Sequence, residues 1–455
     1  AAGEGAWEAL ADAHGLHRVA DLAELADTLE LFTLTRPAPG AGIATIHDSG
    51  LERAHVADVA ERVGVPFAAI GERTRERLTA LLDPGLEAAN PLDMWGTGRD
   101  AQQQLTESML AMADDPAVGA VALAVDLVPE FDGDDSYQLA LLTAAGRISK
   151  PLAVLAGLPA SVDPVAAARL RAAGVPVLEG TRTGLLALRH LLGHAAWTPP
   201  RSAPPARPPR LLSPCSPSPF PAVPEPDPAR RRRWLDALAR GPLGGAEQYG
   251  LLRDYGIPAV AVRPAASREA ALAAAEEIGY PVVLKTDEPA IAHKSDVGGV
   301  LLGLDGAGAL AAAYQDLAAR LGPRVLVCQA AAPGTELVVG IAADPALGPL
   351  IVTGAGGVLA ELLADRVVAL PPVDTSGALR VLSRLRASAV LAGLRGQPPA
   401  DLASIAGVIA GVSAIATELG GQLGGLDVNP LICGPAGAIA ADVLVAAQSR
   451  LSAIV

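Results

Sequence analysis

Through residues 38–197, short unbroken apolar runs alternate with stretches of helical periodicity. Residues 42–46, 65–70, 118–125, 151–155 and 175–178 read as strands. Between them, apolar positions recur at helical spacing over residues 53–63, 73–82, 100–113, 134–148, 163–173 and 183–192. Strands that are apolar throughout, rather than alternately, are covered on both faces, and helices between them supply the cover. The pattern predicts an α/β domain with a doubly wound parallel sheet. Residues 1–37 give only helices and read as the tail of a preceding domain.

The pattern changes in the second half. A helix over 244–253 precedes the turn Tyr255-Gly256-Ile257-Pro258, and a helix over 267–278 precedes a strand over 281–285. Further strands are expected at 300–304, 324–329, 336–342 and 350–353, then a long helical stretch and a last strand over 426–432. This is α+β, in a domain spanning 233–455. The two halves are joined by residues 198–232. Thirteen of the 39 prolines lie from Pro199 to Pro228, and the basic run Arg230 to Arg233 closes the segment. Such a composition builds no core and predicts an extended connector whose basic end is solvated.

Composition narrows the function classes. At 455 residues and 51% apolar, the chain can fill several cores, while 3% aromatics favour helices packed closely on sheets. A net charge of −14 argues against nucleic acid as the main partner, since a phosphate backbone requires a basic surface. Cys215, Cys328 and Cys433 share no metal or disulfide spacing, which fits a cytoplasmic setting. The small-apolar run from Ser404 to Thr417 is shorter than the ~18 residues a bilayer requires, so no membrane span is expected. Ala1 opens the sequence with neither Met nor a signal-peptide pattern, and the expectation is a piece of something longer.

Candidate chemistry concentrates in the second half. Of 35 cationic side chains only three are lysines, and Lys285 and Lys294 are two of them. A compact ammonium kept in an arginine-rich chain suits binding phosphate as a point charge. Taken alone, the pair is equally compatible with two neighbours on a solvated loop. Gly354-Ala355-Gly356-Gly357 follows a predicted strand, with Glu361 and Asp365 downstream, and such a loop can offer backbone N–H groups to an anion. Asp427-Val428-Asn429-Pro430 and, further on, Asp442 supply the hard oxygen ligands that Mg²⁺ takes alongside phosphates. An ordinary turn capped by Asn and Asp has the same composition.

In their order these motifs resemble the ATP-grasp domain of the NDP-forming acyl-CoA synthetases, relatives of succinyl-CoA synthetase. The resemblance rests on Tyr255-Gly256-Ile257-Pro258, Gly279-Tyr280-Pro281-Val282-Val283-Leu284-Lys285, His293-Lys294-Ser295-Asp296-Val297-Gly298-Gly299-Val300, Pro333-Gly334-Thr335-Glu336, Gly354 to Gly357 and Asp427-Val428-Asn429-Pro430. It implies that Lys285, Lys294, Glu336, Gly356 and Gly357 contact the nucleotide and that Asn429 and Asp442 hold Mg²⁺. It also implies that His293 takes phosphate from ATP, a role suited to a neutral imidazole. The first half is similar to the family's flavodoxin-like domain, through the strand ending at His47-Asp48-Ser49-Gly50 and through Asn90-Pro91-Leu92-Asp93-Met94-Trp95-Gly96-Thr97-Gly98. There a helix N-terminus faces a travelling phosphohistidine, and Ser49 and Gly50 fall at that place. His47 and Asp48 depart from the family's glycine-rich loop.

The implied activity is an acid:CoA ligase that consumes ATP, a carboxylic acid and coenzyme A, and that can form a homo-oligomer. The family's coenzyme A-binding domain and mobile phosphohistidine are expected before Ala1. Two other readings stand beside it: a nucleotide-sensing module of a fused acetyltransferase-type protein, and an ATP-grasp carboxylate-amine ligase. The acid, and the choice of ATP or GTP, are open at this point.

Overall fold

In the computed structural model, which describes residues 4–94, 96, 100–129, 134–197, 226–291, 293–357, 365–394 and 398–447, the apolar runs of the first half lie side by side. They form β1 (Gly42–His47), β2 (Leu92–Asp93), β3 (Val118–Ala124), β4 (Leu152–Leu155) and β5 (Val177–Leu178). All pairings are parallel, in the order β2-β1-β3-β4-β5. This is the flavodoxin-like order. β1, β3 and β4 are buried at every position. Successive side chains alternate between two cores. Ile43, Ala120 and Ala122 meet Val56, Val59, Leu185 and Leu188 on one face. Ile46, Val121 and Leu123 meet Leu78, Met109, Met112 and Leu141 on the other.

One expected strand of this half does not form. Residues 65–70 make only an isolated bridge between Ile43 and Phe67. Pro66 has no N–H to extend a ladder. Asn90 reinforces this junction instead: its amide donates to the carbonyls of Ile43 and Ala68, both at 2.9 Å, and accepts from the N–H of Thr45 at 3.2 Å.

The chain divides into two compact units, Gly15–Pro199 and Ala1–His14 with Pro200–Val455. The helices expected within 1–37 form but part company at this boundary. Leu22–Leu34 packs on Thr181–Ala196 in the first unit, whereas Glu4–His14 lies against Arg366–Ala369 in the second.

The second unit holds two antiparallel sheets. The smaller comprises β6 (Val262–Ala265), β7 (Val282–Thr286), β8 (Val300–Leu304) and β9 (Val325–Gln329), ordered β6-β9-β7-β8. Helices Arg268–Ile278 and Ala307–Leu321 cover it through Ala271, Ala275, Leu310 and Leu317. The larger comprises β10 (Thr335–Asp344), β11 (Gly348–Ala355), β12 (Arg366–Ala369), β13 (Leu423–Gly434), β14 (Gly437–Ala440) and β15 (Val443–Ala447). Its order is β12-β11-β10-β13-β14, with β15 also on β13.

Two expectations are corrected here. The run expected to be too short for a bilayer is part of an 18-residue helix, Leu402–Leu419, of mean hydropathy 1.8. Ile405, Ile409, Val412 and Ile415 of this helix lie fully buried in the core of the large sheet. The connector is also shorter than expected, because Pro228–Arg240 is a helix that starts inside it; Arg231, Arg232 and Arg233 of the basic run are exposed, whereas Arg230 is not. Arg230 is buried, donates to Glu418 Oε1 at 2.6 Å, and stacks over the Tyr255 ring at 4.2 Å. An arginine in such a place satisfies its charge and covers an aromatic face at once.

Candidate functional site

In the second unit the site forms where the end of β7 meets the start of β15, bringing the two sheets together. Lys285 lies on β7, whose neighbours are apolar, and only 5% of the residue is exposed. A buried ammonium requires partners. Its Nζ donates to the Ala441 carbonyl at 2.8 Å and to the Tyr249 hydroxyl at 3.3 Å, and lies 3.3 Å from Asp442 Oδ1. Lys294 Nζ approaches the same carboxylate oxygen at 3.5 Å. Its loop is closed by Gly299, which donates from its N–H to the Lys294 carbonyl at 2.7 Å. Two lysines nine positions apart thus converge on one acid from the opposite sheet. The solvated-loop reading is excluded for them.

Asp442 Oδ1 also accepts from Tyr249 at 3.1 Å and from the Val443 N–H at 2.9 Å. Among the described residues no hydrogen bond reaches Oδ2. Asn429 is tied alongside through its N–H to the Asp442 carbonyl at 3.2 Å. The Asn429 amide lies 3.5 Å from Asp427 Oδ2. Burial raises the Asp427 carboxyl above its ordinary range, and the His293 imidazole acts on it in the opposite direction. His293 itself is exposed. The structure therefore gathers Lys285, Lys294, Asn429 and Asp442 at one place, with His293 preceding Lys294 on the same loop and near enough to act on Asp427. Their oxygen donors fit a magnesium ion, which takes one or two carboxylates and is completed by phosphates and water.

Glu336 and the glycine loop meet one strand away, β10 being the neighbour of β13. Gly356 donates its N–H to the Glu336 carbonyl at 2.8 Å. Gly357 has φ +61°, which favours glycine, and a Cβ there would stand 2.7 Å from the flexible end of Glu336 at Oε2. Glu361 lies outside the described residues.

Ser49 and Gly50 belong to the other unit. They begin helix Gly50–Val63 just past β1, at the C-terminal ends of β1 and β3, where the strand order reverses and ligands of such sheets bind. Ser49 caps the helix, its Oγ accepting from the Glu52 N–H at 3.5 Å. Any side chain at Gly50 would bring a Cβ within 2.8 Å of Asp93 Oδ2. The intruding Asp48 accepts a hydrogen bond from the Tyr137 hydroxyl. His47 is fully buried, bonded through Nε2 to the Thr45 hydroxyl at 2.8 Å. Burial pushes its imidazole down to about 4, with Arg53 adding and Asp93 opposing, so it is a neutral strand-end residue at pH 7. Burial, with Asp48 and Asp126, pushes the Glu52 carboxyl up to about 7. Of the companion motif, Asn90 is structural as described, and Trp95, Thr97 and Gly98 lie outside the described residues.

Tyr249 was not legible as a site residue, because a tyrosine in an amphipathic helix reads as core. The chain has only five tyrosines, and one placed six residues before the Tyr255 turn was the available signal.

Residues 236–446 match the ATP-grasp domain family. The chain is 33% identical over 209 residues to the beta subunit of acetate–CoA ligase [ADP-forming] I of Pyrococcus furiosus, an alignment covering 44% of this chain and 90% of that one. It is 31% identical over 427 residues to a trans-feruloyl-CoA synthase of an unknown prokaryotic organism, covering 91% and 57% of the two chains. It is 28% identical over 430 residues to acetate–CoA ligase [ADP-forming] I of Archaeoglobus fulgidus, covering 92% and 58%. The chain thus spans a little over half the length of these two longer relatives. Among solved structures, a Korarchaeum cryptofilum acetyl-coenzyme A synthetase in complex with coenzyme A and Ca-AMPCP is 32% identical, covering 48% of this chain and 99% of that one at a TM-score of 0.45.

Proposed function

We propose, from the premise that this chain belongs to the ADP-forming acyl-CoA synthetase family, that its second unit binds ATP with Mg²⁺ and passes the terminal phosphoryl group to His293. The observation that carries this is the convergence of Lys285, Lys294 and Asp442 beside His293. Phosphoryl transfer requires little covalent chemistry from a protein; positioning and charge neutralisation dominate. Lys285 is fixed by three oxygen contacts and therefore presents a preorganised cation to the phosphates. Lys294 adds a second from the loop that bears His293. The bound Mg²⁺, held by Asn429 and Asp442, would neutralise charge on the phosphate oxygens. A ring nitrogen of His293 attacks the terminal phosphorus, the bond to the bridging oxygen breaks, and ADP leaves.

The proposal extends to the whole reaction. Phosphate moves from His293 to a second histidine and then to a carboxylic acid, giving an acyl phosphate. The coenzyme A thiolate attacks that carbonyl and inorganic phosphate departs. Ser49 and Gly50 serve as an anion stop at a helix N-terminus along this route. A cytoplasmic setting and a coenzyme A-binding partner segment belong to the same proposal.

Calorimetry tests the first step. Titration of the chain with ATP or ADP plus Mg²⁺ should show saturable binding. Indifference to adenine and guanine nucleotides alike would overturn the reading.

A further inference from the structure

The proposed function assigns no role to one fully buried residue at the cleft, Tyr249, whose hydroxyl reaches the site. The helix that carries it is strapped to the large sheet by consecutive residues. Gln248 Oε1 accepts from the Val445 N–H at 2.9 Å, and Tyr249 reaches Ala441 and Asp442. The start of the helix is fixed independently, by the Gly244 N–H on Glu247 at 2.8 Å and the Gly245 N–H on Asp287 at 3.2 Å. The phenol is therefore delivered to its place by a rigid element.

A phenol has one hydrogen to give. Beside the Cys328 thiol, a weak acceptor, two oxygens stand in reach, the Ala441 carbonyl at 3.0 Å and Asp442 Oδ1 at 3.1 Å. The carbonyl already receives Lys285 at 2.8 Å, and a carboxylate makes the stronger bond. The hydrogen belongs to Asp442. With it, Oδ1 faces donors from Tyr249 and Val443 and the ammonium groups of Lys285 and Lys294. That oxygen is saturated, and Oδ2 is the one that accepts no hydrogen bond among the described residues.

We propose that Tyr249 is a positioning residue for the magnesium ligand: by holding Asp442 Oδ1, it fixes the carboxylate so that Oδ2 alone meets the metal. The inference rests on the nucleotide-binding reading of the cleft and deepens it. Partners that orient a metal ligand contribute 10–100-fold to metal affinity where this has been measured.

The test is the magnesium dependence of nucleotide binding, measured by titrating a non-hydrolysable ATP analogue into the chain at a series of Mg²⁺ concentrations and in EDTA. In Tyr249→Phe, the Mg²⁺ needed for half of the metal effect should rise about tenfold. Affinity in EDTA should change less than about threefold, because without metal the lost Asp442 bond does not act on the nucleotide and the lost Lys285 contact is a long one. Asp442→Asn should abolish most of the metal effect, and adding Tyr249→Phe to it should cost nothing further. Equal losses with and without metal, or additive losses in the double variant, would overturn the assignment. An unaltered Mg²⁺ response in Tyr249→Phe would overturn it too, while leaving the nucleotide site standing. Failure of the unmodified chain to bind the analogue would instead remove the parent reading.

Discussion

The two places to which the proposed function assigns phosphate are of opposite electrostatic design. In the second unit, Lys285 on a strand and Lys294 on a closed loop approach a single carboxylate, that of Asp442 just before β15. In the first unit, Ser49 and Gly50 open a helix whose surroundings are acidic: Asp48, Asp93 and Asp126 stand near, and Glu52 lies within the first turn. Backbone N–H groups and the helix dipole supply the attraction there, worth about 0.3–1 kcal/mol at an exposed helix end. Charge-assisted contacts of the lysine kind are worth about 1.5–3 kcal/mol each. The difference teaches a division of labour. On the proposed function, the lysine cleft holds the nucleotide, whereas the helix end receives a phosphoryl group carried to it and has little means of keeping free phosphate.

Removing the strong side of the contrast has the largest expected effect. Lys285→Met should weaken binding of magnesium nucleotide about a hundredfold, since it deletes a charged contact and leaves Asp442 short of a buried partner. Calorimetry on the variant reads this directly, and a loss below about fivefold would break the contrast.

The weak side is probed by pH. Glu52 titrates at about 7 in the folded protein against an ordinary 4.5, so the native state holds its proton more tightly than the unfolded chain does. Its stabilising contribution is complete below pH 4.5 and is lost as pH rises through 7. His47, pushed down to about 4, acts in the reverse sense: its contribution is present above pH 6.5 and lost as pH falls through 4. Glu52→Gln should therefore protect the amides of helix Gly50–Val63 from hydrogen exchange about tenfold better at pH 8, with the gain gone near pH 4. Equal protection at both pH values would show that the acidic surroundings exert no strain on this end.

Much of this was legible in the chain because periodicity and motif order report local structure well. Four of the five strands expected in the first unit formed, and the structure brings Lys285, Asn429 and Asp442 together in one cleft. What escaped was set by tertiary contact. Arg230 sits in a run that any composition rule assigns to solvent, yet Glu418, 188 positions away, draws it inside. Residues 65–70 have strand character, but Pro66 cannot donate to the ladder. Leu92–Asp93, two residues long and following Pro91, pairs with β1 only because Ile46 and His47 stand opposite. Tyr249 matters through its hydroxyl, and which acceptor that hydroxyl meets depends on residues almost 200 positions on.

The most direct measurement is phosphoryl labelling of the chain itself. Incubation with ATP carrying a labelled terminal phosphate and Mg²⁺ should yield an acid-labile, base-stable adduct that maps to the peptide bearing His293 and vanishes in His293→Ala. Full labelling in that variant, or none in the unmodified chain despite nucleotide binding, would contradict the account.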